Sequence, residues 1–68
     1  MTEQEPVELV APTQIAKGDV IEDPVGHRWL NVTTVRVLTA GGTRSFYGDG
    51  PDDRVTFEED ERVKRRMR

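Results

Sequence analysis

The sequence predicts an all-β fold, a small barrel of about five antiparallel strands in one domain. The length of 68 residues leaves room for a single domain with a small core. Apolar residues occur in short β-branched runs separated by Gly, Pro and Asp, and no run has a helical period. Only 34% of residues are apolar and four are aromatic, so the core must be built mainly from Val, Leu and Ile.

The first third of the chain predicts a leader and two short strands. Residues 1–6 are polar and acidic and end in a proline, so we expect a disordered leader before a domain spanning residues 7–66, with residues 67–68 as a C-terminal tail. Residues 7–11 lie between two prolines and form at most a short edge strand. A turn at Lys17 and Gly18 leads into a second strand, which stops at Pro24.

The strongest strand signal covers residues 28–39. Leu30 and Val32 share one parity, whereas Val35 and Val37 have the other. A period-2 pattern changes phase only where a strand bulges or bends, so we expect the two ends of this strand to pack on different sheets. The change should occur at Thr33 and Thr34.

Two turns and two further strands follow. Gly41 and Gly42 predict a hairpin between residues 35–39 and 44–47. A loop of turn-forming residues, 48–53, then leads into a strand over residues 54–58 and a tight connection at residues 59–61. Residues 62–66 form either a closing strand around Val63 or the start of a basic tail.

These turns together resemble the layout of SH3-like small barrels, including the KOW-type modules of transcription and translation proteins. The similarity lies in the Lys17-Gly18-Asp19 opening, Gly26 before the next strand, Trp29 early in that strand, and the short turn before the last one. It covers residues 15 to about 66 and implies a fold rather than a function. In size and style the chain is also similar to small accessory proteins of actinobacteria and their phages.

The composition also indicates a cellular compartment and bears on association with membranes. The absence of cysteine favours folding in a reducing compartment, and the cytoplasm is the default. There is no apolar run long enough for a signal peptide or a membrane span, so we expect no membrane partner.

Catalysis and metal binding are poorly supported. His27 is the sole histidine and Ser45 the sole serine, and we expect His27 to be exposed in a turn. The acidic loop at Asp49, Asp52 and Asp53 lacks the spacing of an EF-hand, so its carboxylates are expected to bond the backbone. The acids at residues 58–61 would need a pocket that a chain of this size hardly holds. We therefore expect no enzyme activity, cofactor, metal or small-molecule substrate.

The basic C-terminus is the sharpest functional candidate. Clustered cations neutralise phosphates and release counterions, so the sequence predicts a nucleic-acid-binding module. The proposed phosphate contacts are Arg62, Lys64, Arg65, Arg66 and Arg68, with base stacking by Tyr47. In the alternative interpretation these cations only keep an exposed edge strand soluble. Arg44 beside Phe46 or Tyr47 is a further candidate for stacking and charge.

Other functions remain open at this point. The acidic segments could meet a basic protein, mimic nucleic acid, or accompany self-association through strand edges. Trp29 is either the anchor of the core or a surface platform for a proline-rich peptide, and the scarcity of large residues favours the core.

Overall fold

The computed structural model describes residues 6–67, which form two antiparallel sheets. The four-stranded sheet has the order β1–β7–β2–β3 and the three-stranded sheet the order β4–β5–β6. A 3₁₀ turn, Pro12–Gln14, follows β1. The strands are β1 (Val7–Val10), β2 (Val20–Asp23), β3 (Arg28–Asn31), β4 (Thr34–Val37), β5 (Arg44–Tyr47), β6 (Arg54–Phe57) and β7 (Val63–Arg66).

The core lies between the two sheets, because each strand alternates between an inward and an outward side chain. Phe46, on the central strand of the three-stranded sheet, has no exposed surface, and its ring centroid lies 6.1 Å from that of Phe57. The core is aliphatic apart from these two rings, as the composition predicts. Its buried members are Val10, Ile15, Ile21, Leu30, Val32, Phe46, Val55, Phe57 and Val63.

The all-β prediction is therefore confirmed, but residues 6–67 form seven strands where about five were expected. The difference arises mainly at residues 28–39, which form two strands, β3 and β4, on different sheets. The backbone N–H of Val32 still bonds Asp19 O at 2.9 Å in the four-stranded sheet, whereas that of Thr33 bonds Tyr47 O at 2.7 Å in the other. The change of sheet falls where the phase of the apolar pattern predicts it. Val35 packs against the core, but Val37 is exposed.

Glycines with positive φ form the turns that the sequence indicates. Gly18 has φ 98° and Gly42 has φ 112°, a conformation that residues with a Cβ atom rarely adopt. At Gly42 a Cβ atom would also lie 3.1 Å from Glu59 Cβ, so the hairpin turn packs directly against the connection before β7.

Residues 63–66 form a closing strand rather than a tail. β7 lies between β1 and β2, so the alternative interpretation of an exposed edge strand is wrong: the chain's last strand has neighbours on both sides. Beyond the strand, Met67 N–H donates to Pro6 O at 3.0 Å. Apart from Pro6, the predicted disordered leader lies outside the described residues, as does Arg68.

Candidate nucleic-acid interface

Arg65 points inward from β7 and is held by two carboxylates. Its Nη2 atom lies 3.1 Å from Glu8 Oε2 and its Nη1 atom 3.3 Å from Asp19 Oδ2, while Nη1 also donates to Gln14 O at 3.0 Å. The side chain is 22% exposed. Register explains this position, because Arg65 pairs with Glu8 on one side and with the buried Ile21 on the other. The structure therefore gives Arg65 intramolecular anionic partners.

The pKa of Arg65 reflects this environment. Burial alone lowers the pKa of the guanidinium, since it disfavours the charged form, but hydrogen bonds and charge attraction from Glu8 and Asp19 outweigh it, and the pKa is raised. Arg65 is therefore a permanent cation that ties β1 and the segment before β2 to β7.

Lys64 and Arg66 point the other way, onto the outer surface of the four-stranded sheet. We call the outward side chains of this sheet the Trp29 face. Alternation and register place eight residues on it: Val7, Leu9, Val20, Glu22, Trp29, Asn31, Lys64 and Arg66.

The Trp29 face combines an aromatic ring with two cations. The Arg66 guanidinium carbon lies 4.5 Å from the Trp29 ring centroid, within the range of a cation–π contact, so these side chains meet across the intervening strand β2. Lys64 Nζ lies 4.0 Å from Glu22 Oε1, and the Lys64 side chain is 54% exposed. An ion pair so long and so exposed contributes little, so Lys64 can exchange Glu22 for another anion.

The expectation that Trp29 anchors the core is wrong. Trp29 is 37% exposed, and the neighbouring Leu30 takes the inward position of β3. The alternation of apolar residues in β3 indicates this position: because Leu30 and Val32 face the core, residue 29 must face outward. The scarcity of large residues favoured the core for Trp29, but Phe46 and Phe57 fill it instead.

The remaining predicted contacts do not all lie on this face. Arg62 precedes β7, is exposed, and donates from Nη1 to Glu61 O at 3.0 Å. Tyr47 belongs to the other sheet, at the end of β5. Arg68 lies outside the described residues. The structure thus brings Lys64 and Arg66 together with Trp29 and separates them from Tyr47.

The outward side chains of the three-stranded sheet form a second surface, which we call the Tyr47 face. Register and alternation place six residues on it: Thr34, Arg36, Ser45, Tyr47, Arg54 and Thr56. Arg44 does not share this face, because its parity is that of the fully buried Phe46. The candidate combination of Arg44 with Phe46 or Tyr47 at the surface is therefore not formed, because Phe46 is buried and Arg44 and Tyr47 lie on opposite sides of β5.

Other candidate groups have structural roles. His27 is exposed in the turn before β3, as expected. In the acidic loop, Asp53 Oδ2 accepts from Gly50 N–H at 2.9 Å and Oδ1 lies 3.2 Å from Arg28 Nη2. Within residues 6–67 no group of three or more His, Asp or Glu side chains is placed to hold a metal ion.

The acidic turn before β7 is also bound up in local contacts. Glu61 Oε1 accepts from Glu58 N–H at 2.8 Å, and Glu58 Oε2 accepts from the Thr43 hydroxyl at 3.0 Å. Glu61 therefore stabilises its own turn, while Lys64 pairs with Glu22 of β2 and Arg65 pairs with Glu8 of β1 and with Asp19, which precedes β2.

No family model, curated protein or solved structure matches this chain. None of the helical segments within residues 6–67 is long and apolar enough to cross a membrane.

Proposed function

We propose that this domain is a non-enzymatic module that binds single-stranded nucleic acid through the Trp29 face. The observation that carries the proposal is the contact of Arg66 with Trp29 beside Lys64 on an outward sheet surface. Aromatic rings stack on unpaired bases of any sequence, and neighbouring cations neutralise the phosphates. Duplex bases are already stacked on one another, so an aromatic platform favours single strands.

The proposed phosphate contacts are Lys64 and Arg66 on the Trp29 face, with Arg62 before β7 and Arg68 beyond Met67 as contributors from the flanking segments. Arg65 takes part indirectly, since its ion pairs with Glu8 and Asp19 hold β7 in register.

We further propose that the two sheets form an SH3-like barrel in a reducing, cytoplasmic setting. The passage of the chain from one sheet to the other at Val32 and Thr33, together with one core shared by both sheets, supports the barrel. The compartment is supported by the absence of cysteine.

The sole tryptophan makes the test direct, because Trp29 fluorescence reports on the proposed site alone. We expect a short oligothymidylate to quench Trp29 at low salt, and the affinity to fall steeply as salt rises from about 50 to about 200 mM. Lys64→Gln and Arg66→Gln should each weaken binding and reduce the salt slope by about one. Trp29→Ala, followed by anisotropy of a labelled oligonucleotide, should cost about tenfold in affinity.

The control is Lys17→Gln, which removes an exposed cation from the turn before β2 that is not one of the eight residues of this face. Lys17→Gln should change the affinity for the oligonucleotide less than Lys64→Gln or Arg66→Gln does. Substitutions are required because deleting residues 64–68 would remove most of β7, a central strand. Unchanged Trp29 fluorescence and anisotropy in the wild type at low salt would exclude the proposal.

A protein partner is the second candidate, favoured by one observation on the same face. Leu9 is 65% exposed and Val7 45% exposed, both on the edge strand β1 beside Lys64 and Arg66. Exposed aliphatic side chains grouped on one surface are typical of protein contacts. A measured mass above that of one chain, reduced to one chain by Leu9→Lys, with no oligonucleotide binding at low salt, would support this alternative.

A further inference from the structure

The Tyr47 face has features of a nucleic-acid surface that are independent of the Trp29 face. Thr34, Tyr47 and Arg54 lie directly opposite one another across its three strands, and Arg36, Ser45 and Thr56 form the adjacent row. Tyr47 on β5 is thus directly opposite Arg54 on β6 and diagonal to Arg36 on β4.

The charge of this face is uniformly positive. Arg36 and Arg54 are exposed, and neither forms an ion pair within residues 6–67. None of its six residues is acidic. Two acids flank β6: Asp53 precedes it and lies 3.2 Å from Arg28 Nη2, and Glu58 follows it and accepts from the Thr43 hydroxyl at 3.0 Å. By contrast, the Trp29 face includes Glu22, which lies 4.0 Å from Lys64 Nζ.

Near the centre of the Tyr47 face lie short side chains with hydroxyl groups. Ser45 is buried, and its Oγ lies 2.7 Å from Thr56 Oγ1 in a cross-strand hydrogen bond. Ser45 is thus covered by its neighbours, whereas Thr34 and Thr56 are exposed and offer hydroxyl groups to phosphate and sugar oxygens. Tyr47 supplies a ring for one base.

The two faces point in opposite directions. Phe46 and Val55 of one sheet and Ile21 and Leu30 of the other pack in the same core, so the outward surface of each sheet is directed away from the other. No single short strand of nucleic acid can lie flat on both surfaces at once.

We infer that the Tyr47 face is a second site for single-stranded nucleic acid, so that one copy of the domain holds two strands or two distant parts of one strand. This inference rests on the proposed function for the nature of the ligand, but it stands on different residues. Charge complementarity carries it: two exposed arginines flank an aromatic ring on a face without carboxylates.

The test uses two oligothymidylates, one labelled with a fluorescence donor and the other with an acceptor. Wild-type protein at low salt should bring them together and produce energy transfer, while its measured mass without oligonucleotide is that of one chain. Arg36→Gln/Arg54→Gln should abolish the transfer but keep Trp29 quenching within about twofold. Arg36→Lys/Arg54→Lys preserves the charge and should retain most of the transfer.

The outcomes separate this inference from the proposed function. Energy transfer that survives in Arg36→Gln/Arg54→Gln would overturn the second site. Anisotropy binding that persists in Lys64→Gln/Arg66→Gln and disappears in Arg36→Gln/Arg54→Gln would support the Tyr47 site and overturn the Trp29 site. Wild-type protein that binds neither oligonucleotide would overturn both.

Discussion

Arg65 Nη2 lies 3.1 Å from Glu8 Oε2, so one ion pair joins residues that are 57 positions apart in the chain. Asp19 contacts the same guanidinium through its own Oδ2 atom, and this oxygen also accepts from Ala16 N–H at 2.9 Å. Arg65 on β7 therefore joins β1 and the segment before β2 through its side chain.

Replacement of Arg65 should destabilise the domain. Arg65→Met keeps an unbranched apolar stem but leaves Glu8 and Asp19 close together without a cation. We expect the free energy of unfolding to fall by about 1 to 3 kcal/mol, between the values for exposed and fully buried pairs. Urea denaturation measures it, with Arg62→Met as the exposed control that should shift stability by less than about 0.5 kcal/mol. Equal midpoints for Arg65→Met and the wild type would contradict this.

The stabilisation that Arg65 provides should not change with pH above neutrality. A raised pKa means that folding favours the protonated guanidinium, so its stabilising effect is complete below the ordinary pKa and is lost only as pH rises through the raised one. Both lie beyond the alkaline range in which a small domain is normally studied. The stability difference between wild type and Arg65→Met should therefore stay constant from about pH 7 to about pH 10.

Phe46 and Trp29 should differ sharply in their effect on folding. Phe46→Ala empties the centre of the core and should cost about 3 to 5 kcal/mol, a large part of the total stability of a small domain. Trp29→Ala removes a partly exposed ring from the outer surface and should cost about 1 kcal/mol. The stabilities of the two variants can be compared by thermal unfolding, with far-UV circular dichroism as the signal. If Trp29→Ala proved as destabilising as Phe46→Ala, the outward placement of Trp29 would be wrong.

Replacement of His27 by glycine should increase the stability of the domain. His27 has φ 52°, a left-handed conformation that costs a residue with a Cβ atom about 1 kcal/mol or more. Because glycine also loses more entropy on folding, we expect His27→Gly to gain about 0.5 kcal/mol, whereas the β-branched His27→Val should lose more than about 1 kcal/mol. Urea midpoints in the reverse order would show that the histidine side chain stabilises this turn.

Much of the fold could be predicted because local signals and tertiary packing agree. Gly18 and Gly42 are glycines because their turns need positive φ, and the phase of Leu30 and Val32 against Val35 marks the change of sheet. The same phase, applied to residue 29, would have placed Trp29 outside. Residue size was the weaker criterion for Trp29, because Phe46 and Phe57 fill the core and leave the indole outside it.

The composition of the two outer faces was harder to predict, because it depends on which strands become neighbours. In sequence, Arg62 to Arg68 form one basic cluster, but strand alternation sends Arg65 inward to Glu8 and Asp19 and leaves Lys64 and Arg66 outside. Arg36 and Arg54 are 18 positions apart in the chain and share a face only through the registers of β4 and β6 with β5. No local pattern reveals such a pairing.

The position of β7 between β1 and β2 has a consequence for synthesis on the ribosome. The hairpins β4–β5 and β5–β6 need only neighbouring residues and can form while the chain is still emerging. The other sheet lacks an inner strand until residue 66 has left the exit tunnel, so the apolar side chains of β1 stay uncovered until β7 pairs with it. We expect a nascent chain with residues 6–62, but not β7, outside the tunnel to be sensitive to protease and to bind chaperones, and to become resistant only when β7 has emerged.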